Sequence, residues 1–189
     1  MRKLNLLILF SITYFLFGCG GGGGSSSSDN ESITLTSNDN SSITLTSTAF
    51  TENGNIPAVY TCDSTDISPE LSWSGNLDTA VSFAIIMDDP DAPGGTFTHW
   101  MIYNIPGSTR GLSQNVSALA NLSDGSIQLT NDMPAVGYSG PCPPTRHQYD
   151  FKIYALNDNL STSISSKSEL TNAMSGKIVA QDTYSGFYP

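Results

Sequence analysis

The chain has only two histidines, and each follows a rigid, polar stretch of sequence. His99 comes after MDDPDAPGG at 87–95, and His147 comes after GPCPPTR at 140–146. Proline fixes a backbone angle, so both loops are stiff and hold their side chains in place. Imidazole changes charge near neutral pH, and a neighbouring carboxylate such as Asp89 favours its charged form. These residue types predict a pocket that binds an anion, with a proton shared among the carboxylate, the imidazole and the anion.

Other residues near the histidines have types that suit the same pocket. Tyr149 stands two residues after His147, so in a strand both side chains project to one face. Gly140 lets the backbone approach a ligand closely, and its N–H is free to donate to an anion. Arg146 adds a positive charge at the expected rim, where it either strengthens anion binding or is merely solvated.

Three other interpretations of these residues remain open. His99 can instead be a core histidine that is hydrogen-bonded to Asp89 and holds the loop. The two histidines together with Asp89 and Asp91 are types that ligate metal ions, but their spacing matches no metal motif. A serine hydrolase is conceivable from the many serines, but the sequence lacks a GxSxG turn.

Most of the chain is typical of a mostly antiparallel β domain with one or two short helices. Three apolar or alternating runs predict strands: AVSFAIIM at 80–87, THWMIYNI at 98–105 and YDFKIYAL at 149–156. The sequence SITLTS occurs at 32–37 and again at 42–47, and one copy is predicted to be the first strand.

One helix is predicted near the C-terminal end, over residues 166–174. Ser166 or Ser168 can cap its start, and Gly176 ends it. A last strand is predicted from Ile178 toward the C-terminal tyrosines. Proline and glycine separate the predicted strands throughout the chain.

The N-terminal residues 1–18 have the pattern of a secretory signal peptide: a short positive start, then an apolar run. At about 14 residues, this run is shorter than the roughly 20 that a membrane-spanning helix needs. It ends in LFGC, which resembles the lipobox of bacterial lipoproteins and predicts a lipoprotein acylated at Cys19. Residues 19–42 are then a Gly- and Ser-rich flexible tether, and residues 43–189 are the folded domain.

This N-terminal pattern predicts an extracytoplasmic protein that a lipid anchor holds on the bacterial cell envelope. Gly20, rather than an aspartate, follows the cysteine, which favours the outer membrane. Removal of the signal peptide takes away Arg2 and Lys3, so the chain becomes more acidic than its formal charge of −10. Such a charge repels nucleic acids and anionic lipid surfaces, so neither is an expected partner of the bare domain.

Cys62 and Cys142 remain as an even pair if Cys19 carries lipid. In an oxidising compartment a disulfide between them is favoured and would close a long loop. The alternative is two buried thiols. A redox or metal role is not favoured, because the sequence contains no CxxC motif and no Cys/His cluster.

Four stretches together resemble the phosphatidylethanolamine-binding protein family, within it the bacterial proteins described as Raf kinase inhibitor-like. They are YTCDSTDISPELSW at 60–73, DDPDAPGGTFTHWMIYNIP at 88–106, GYSGPCPP at 137–144 and HQYDFKIYAL at 147–156. The resemblance covers about residues 47–188. DPDAP, HW, GPCPP and HxY in this order are specific, although each alone is weak.

The resemblance implies an antiparallel β-sandwich-like fold and a pocket for small anions, notably the phosphate of phospholipid headgroups. The ligand-binding positions of the family fall here on Asp89, Asp91, His99, Gly140, Pro143, His147 and Tyr149. The resemblance also makes the Ala92–Pro93 peptide bond a candidate for the cis form. An ammonium headgroup is expected to face Asp91 or Asp88.

The expected function is a lipid-anchored binding module that performs no chemistry and needs no cofactor or metal. Its ligand is expected to be a phosphate-bearing small molecule or a phospholipid headgroup. An alternative is a protein-interaction module that inhibits a protease or kinase through the pocket rim. A third possibility is a hydrolase, which the absence of an activated nucleophile in the sequence disfavours.

Overall fold

The computed structural model describes residues 40–189, which form eight strands, one α-helix and a short 3-10 helix. The strands are β1 Thr44–Thr46, β2 Leu71–Ser74, β3 Ser82–Asp89, β4 Phe97–Pro106, β5 Gly111–Leu112, β6 Ile127–Gln128, β7 His147–Leu156 and β8 Ile178–Tyr188. The helices are the 3-10 turn Ala58–Tyr60 and helix α1 Lys167–Met174. The signal peptide, Cys19 and the first SITLTS copy lie outside the described residues.

Five strands form an antiparallel sheet in the order β6-β4-β3-β7-β8. Strand β3 lies at its centre, and all eight of its residues are buried. A strand covered on both faces needs a continuous apolar run, which AVSFAIIM supplies. Strand β7 alternates between buried and half-buried residues, because alternate side chains point to opposite faces.

A smaller antiparallel sheet, β1-β2-β5, packs against one face of the large sheet. Leu45 and Trp73 of the small sheet share a core with Phe83 and Ile153 of the large sheet. The rings of Trp73 and Phe83 lie 5.3 Å apart between centroids. The predicted mostly β, sandwich-like fold is confirmed, and β1 falls within the second SITLTS copy.

Helix α1 covers the opposite face of the large sheet. Its buried Leu170 and Met174 pack with Ala84 of β3 and Leu156 of β7. The Ser166 side chain accepts a hydrogen bond from the Glu169 N–H, as an N-terminal cap does. The predicted helix is confirmed with this serine as its cap.

Three strands extend beyond their predicted bounds at one end of the large sheet. Strand β4 begins at Phe97 and β7 at His147, so both histidines lie within strands. His147 pairs with Tyr188 of β8, and this pairing extends β7 beyond the predicted start. Strand β3 continues through Asp89, which brings the acidic loop to the same end.

Two further observations concern the peptide bonds and the helices of the described residues. Residues 40–189 contain no cis peptide bond, so Ala92–Pro93 is trans and the expectation of a cis bond was wrong; trans is the lower-energy form for most X-Pro bonds. In the same residues, no helix has both the length and the hydropathy to cross a membrane.

The last residues of the predicted tether, 40–42, contact the domain. The Ser42 N–H donates to the Asn76 carbonyl at 3.0 Å, and the Asn76 side chain donates to the Asn40 carbonyl at 3.1 Å. These bonds join the chain just before β1 to the turn that follows β2.

Candidate functional site

A cavity of about 200 Å³ opens where β3 ends and β4 and β7 begin. Its polar lining consists of Asp89, His99, His147 and Tyr149, and each of these side chains is less than a tenth exposed. Its other walls are Ala92, Pro93, Phe97, Met133, Cys142, Pro143 and Pro144. The cavity therefore has a polar floor and mainly apolar walls.

Asp89 holds His147 in one orientation. The Nδ1 atom of His147 lies 2.7 Å from Asp89 Oδ2, and both side chains are buried. The other oxygen of Asp89 accepts the N–H of Asp91 at 2.8 Å, which stiffens the acidic loop. Because both carboxylate oxygens are engaged, Asp89 acts chiefly by orienting the imidazole.

Tyr149 lines the cavity together with the two histidines. Burial, followed by the negative charges of Asp89 and Asp91, raises its pKa far above the ordinary value. Its hydroxyl therefore keeps its proton and serves as a donor. The ring of Tyr149 meets the His99 ring edge-on, with 5.3 Å between centroids.

His99 is fixed by a backbone group rather than by a carboxylate. Its Nδ1 atom lies 2.8 Å from the carbonyl oxygen of Ser139, which accepts the ring N–H. Burial lowers the pKa of His99, and the Ser139 carbonyl and the charge of Asp89 offset part of this effect. The expected alternative bond from His99 to Asp89 is absent, because Asp89 binds His147 instead.

The two histidines thus share one arrangement. In each ring an acceptor occupies the Nδ1 side, which leaves Nε2 as the nitrogen available to a ligand. A neutral imidazole held in this way presents a lone pair at Nε2, and a protonated one presents an N–H. The cavity can therefore bind an anion by accepting protons on its histidines.

Two predicted site residues serve the framework of the site. Asp91 does not line the cavity; its carboxylate accepts the N–H of Gln148 at 2.8 Å and ties the acidic loop to β7. Gly140 does not line it either, and its N–H, expected to be free, donates to Asp66 at 2.7 Å. A Cβ on Gly140 would lie 2.3 Å from the Tyr60 carbonyl oxygen, so the glycine permits a close backbone approach.

Asp88 points away from the cavity, so it does not face an ammonium group there as expected. Successive residues of a strand project to opposite faces, so Asp88 lies on the side of α1. Its carboxylate binds Lys152 at 3.0 Å and Lys167 at 2.5 Å, and it accepts the Thr98 hydroxyl. This carboxylate is already neutralised by two lysines.

The predicted disulfide between Cys62 and Cys142 is confirmed, across a separation of 80 residues. Cys142 also lines the cavity, next to Pro143, a predicted ligand-binding residue.

Arg146, expected at the rim, instead lies over the Phe187 ring at 4.3 Å and donates to Asn55. Within residues 40–189, no group of three or more His, Cys, Asp or Glu side chains is arranged to hold a metal ion.

Several lining residues were missed by sequence reasoning. Phe97 and Met133 form part of the wall, and Met133 is half exposed at 50%. Apolar residues in loops carry no periodic pattern that marks them as ligand contacts. Phe97 lies two residues before His99 in β4, so the alternation of a strand was the one signal that predicted it on the same face.

Comparisons with known proteins identify the family of the chain. A model of the family described as phosphatidylethanolamine-binding protein matches residues 46–189. The chain belongs to this family.

Relatives within the phosphatidylethanolamine-binding protein family come from archaea and bacteria. A UPF0098 protein of Methanothermobacter thermautotrophicus is 46% identical over 142 residues, which cover 74% of this chain and 94% of the relative. A UPF0098 protein of Aquifex aeolicus is 44% identical over 147 residues, covering 75% and 85%.

Solved structures of the family have the same fold. A putative phosphatidylethanolamine-binding protein homologue from Chlamydia trachomatis superimposes with a TM-score of 0.72 at 34% identity, covering 78% of this chain and 97% of its own. The YbcL protein of E. coli, described as a member of the mammalian family, gives a TM-score of 0.68 at 27% identity, covering 77% and 97%.

Proposed function

We propose that the domain is a binding module for small anions, with the phosphate of a phospholipid headgroup or of a related organic phosphate as its ligand. The observation that carries the proposal is the pair of histidines with occupied Nδ1 atoms in one cavity. Protonated on Nε2, both rings donate to the same anion, and such charge-assisted bonds are the strong ones. The apolar walls suit the organic part of the ligand.

The module acts as a binder rather than as a catalyst. Among the lining residues, the sulfur of Cys142 is in a disulfide, and the Tyr149 hydroxyl is held protonated. Neither side chain is an activated nucleophile, which supports a binding role. We infer further that acylated Cys19 anchors the domain to the bacterial cell envelope in an extracytoplasmic position, with the outer membrane favoured by Gly20.

The test is a calorimetric titration of the purified chain with phosphate and with phosphoethanolamine, near pH 6 and near pH 8. Saturable binding that weakens at the higher pH is expected, together with its loss in His147→Ala. Lys177→Ala, which changes an exposed ion pair far along the chain from the cavity residues, is the control and should bind normally. An intact fold without binding at either pH would reject the proposal.

A second candidate is a protein-interaction module that inhibits a protease or kinase through the rim. The exposed Met133 beside the cavity favours it, because a half-exposed apolar side chain at a pocket edge is a typical contact residue. The two functions differ in their response to substitution. Met133→Ser should weaken the binding of a rim partner more than it weakens phosphate binding, and His147→Ala should have the reverse effect.

A further inference from the structure

Asn131 is a buried amide with an unusually complete set of hydrogen bonds. It is 5% exposed and lies in the loop between β6 and β7. Its Nδ2 group donates to the His99 carbonyl at 2.9 Å, the Gly137 carbonyl at 3.0 Å and the Ser139 hydroxyl at 2.9 Å. Asn131 does not line the cavity, so it does not reach a ligand there.

The oxygen of the same side chain holds the rim of the cavity. Asn131 Oδ1 accepts the N–H of Met133 at 2.9 Å and that of Ala135 at 3.2 Å. The backbone closes the turn, because the Asn131 N–H donates to the Ala135 carbonyl at 2.8 Å. The side chain and the backbone of Asn131 therefore together fix the turn that carries Met133, a wall residue.

The nitrogen of the side chain holds the support of His99. The Ser139 N–H donates to the His99 carbonyl at 3.1 Å, and the Ser139 carbonyl in turn accepts the His99 ring N–H at 2.8 Å. Asn131 bonds to both partners in this exchange. It links the carbonyl of His99 to the side-chain hydroxyl of Ser139, the residue whose carbonyl fixes the His99 ring.

We propose that Asn131 is a positioning residue of the anion site, which acts through His99 on one side and Met133 on the other. This inference rests on the proposed function of the cavity. The groups that face His99 are Asp89 and Tyr149 together with the carbonyls of Ser139 and Gly140, and Asp88 acts on it only as a charge on the other face of the sheet. Of these, Asn131 bonds the hydroxyl of Ser139 and so helps to hold the residue whose carbonyl favours the protonated ring.

The experiment compares Asn131→Leu with a matched control, Gln128→Met. Gln128 is also a buried amide, 2% exposed, with three hydrogen bonds to Trp100, Ser117 and Leu119. Both substitutions are neutral and both leave buried polar groups without partners, so both should lower the stability of the fold. Asn131 bonds to His99, Ser139 and Met133, whereas the described hydrogen bonds of the Gln128 side chain reach none of these three residues.

Two quantities are measured on each full chain. The first is the pKa of His99, from the pH titration of its ring resonance by NMR; with two histidines, His147→Gln assigns the two signals. The second is the affinity for phosphoethanolamine by calorimetry. Asn131→Leu should lower the pKa of His99 and weaken binding about tenfold, the equivalent of about 1.4 kcal/mol, whereas Gln128→Met should change neither.

An unchanged His99 titration in Asn131→Leu, or an equal change in Gln128→Met, would overturn the inference. If Asn131→Leu fails to fold, Asn131→Ser, which is smaller and retains a hydroxyl, should shift the same two quantities in the same directions. If the wild-type chain binds no phosphoethanolamine, the proposed function fails, but the His99 titration still decides the role of Asn131.

Discussion

At the scale of single residues, the two histidines differ in the group that accepts a hydrogen bond at Nδ1 and orients the ring. His147 faces a carboxylate and His99 faces a backbone carbonyl. A carboxylate compensates an imidazolium more strongly than a neutral carbonyl does. Burial lowers the pKa of His99, so the charge of a bound anion supplies the compensation that the neutral carbonyl does not.

Anion binding is expected to take up a proton. Burial lowers the pKa of His99, so the free protein holds this ring neutral near pH 7.5. An anion that accepts a bond from Nε2 requires the protonated ring, so affinity should rise as the pH falls. Calorimetry in two buffers of different ionisation enthalpy measures the proton directly, and equal heats in both buffers would contradict the prediction.

The lowered pKa of His99 also predicts how the stability of the free protein changes as the pH falls. The unfolded chain binds the His99 proton at the ordinary pKa, and the folded chain binds it only at lower pH. The contribution of this residue to the free energy of unfolding is therefore full above the ordinary pKa. It is lost as the pH falls from that value toward the lowered pKa of the folded state.

At the scale of elements, the wall segment 142–145 depends on the disulfide. Two of its residues are prolines, and the described hydrogen bonds include none to the backbone of this segment. Its start is joined by Cys142 to Cys62, next to a bond from the Cys62 N–H to the Pro141 carbonyl at 3.1 Å. The disulfide is thus the principal cross-link of the wall that carries Pro143.

Replacement of both cysteines, Cys62→Ser with Cys142→Ser, should weaken anion binding and lower the free energy of unfolding. Closure of so long a loop is worth about 4 kcal/mol in the chain-entropy account. Urea denaturation measures the stability, and calorimetry measures the affinity. Reducing agent added to the wild-type chain should reproduce both effects, whereas an affinity unchanged by either treatment would show that the wall holds without the bond.

The contact between α1 and the end of β3 depends on Asp88. Its buried carboxylate joins Lys152 and Lys167, and removal of the charge would leave two half-buried ammonium groups without a partner. Asp88→Asn should therefore cost about 2 kcal/mol in urea denaturation. Asp158→Asn is the matched control, because its pair with Lys177 is exposed and contributes little to stability. Equal losses in the two variants would contradict this ranking.

At the scale of the whole molecule, the fold and most of the polar floor could be predicted from local pattern. The alternation His147, Tyr149, Phe151 in β7 marked one face, and the structure buries that face. Asp91 and Gly140 were assigned to the ligand, but their hydrogen bonds go to Gln148 and to Asp66. Such bonds arise between segments distant in sequence, which no local pattern reveals.

The role of Asn131 was invisible for the same reason. In the sequence it is one asparagine in a loop, where the residue type usually indicates only a turn. Its contacts reach from Met133 back to His99, and the sheet and the loop must both be in place before they form. Positioning residues of this kind are found from the structure.

The distribution of charge indicates that attachment of the domain to an anionic membrane would require the proposed anchor at Cys19. Among residues 40–189, the three lysines are paired with carboxylates, which leaves Arg110 and Arg146 as the basic side chains without an acidic partner. The formal charge of the chain is −10. An acidic surface is repelled by anionic lipid, so the domain itself offers no electrostatic attraction to such a membrane.

Cys19→Ser should therefore release the protein from membranes when the full chain is expressed in a bacterial host. The wild type should stay in the membrane fraction after washing with high salt and carbonate and should incorporate labelled fatty acid. Ser25→Ala, within the same Gly/Ser segment, is the control and should behave as the wild type. If Cys19→Ser remained in the washed membranes, the attachment would have to come from another part of the chain, and since the described surface is acidic, the apolar run from Leu4 to Phe17 would become the candidate anchor.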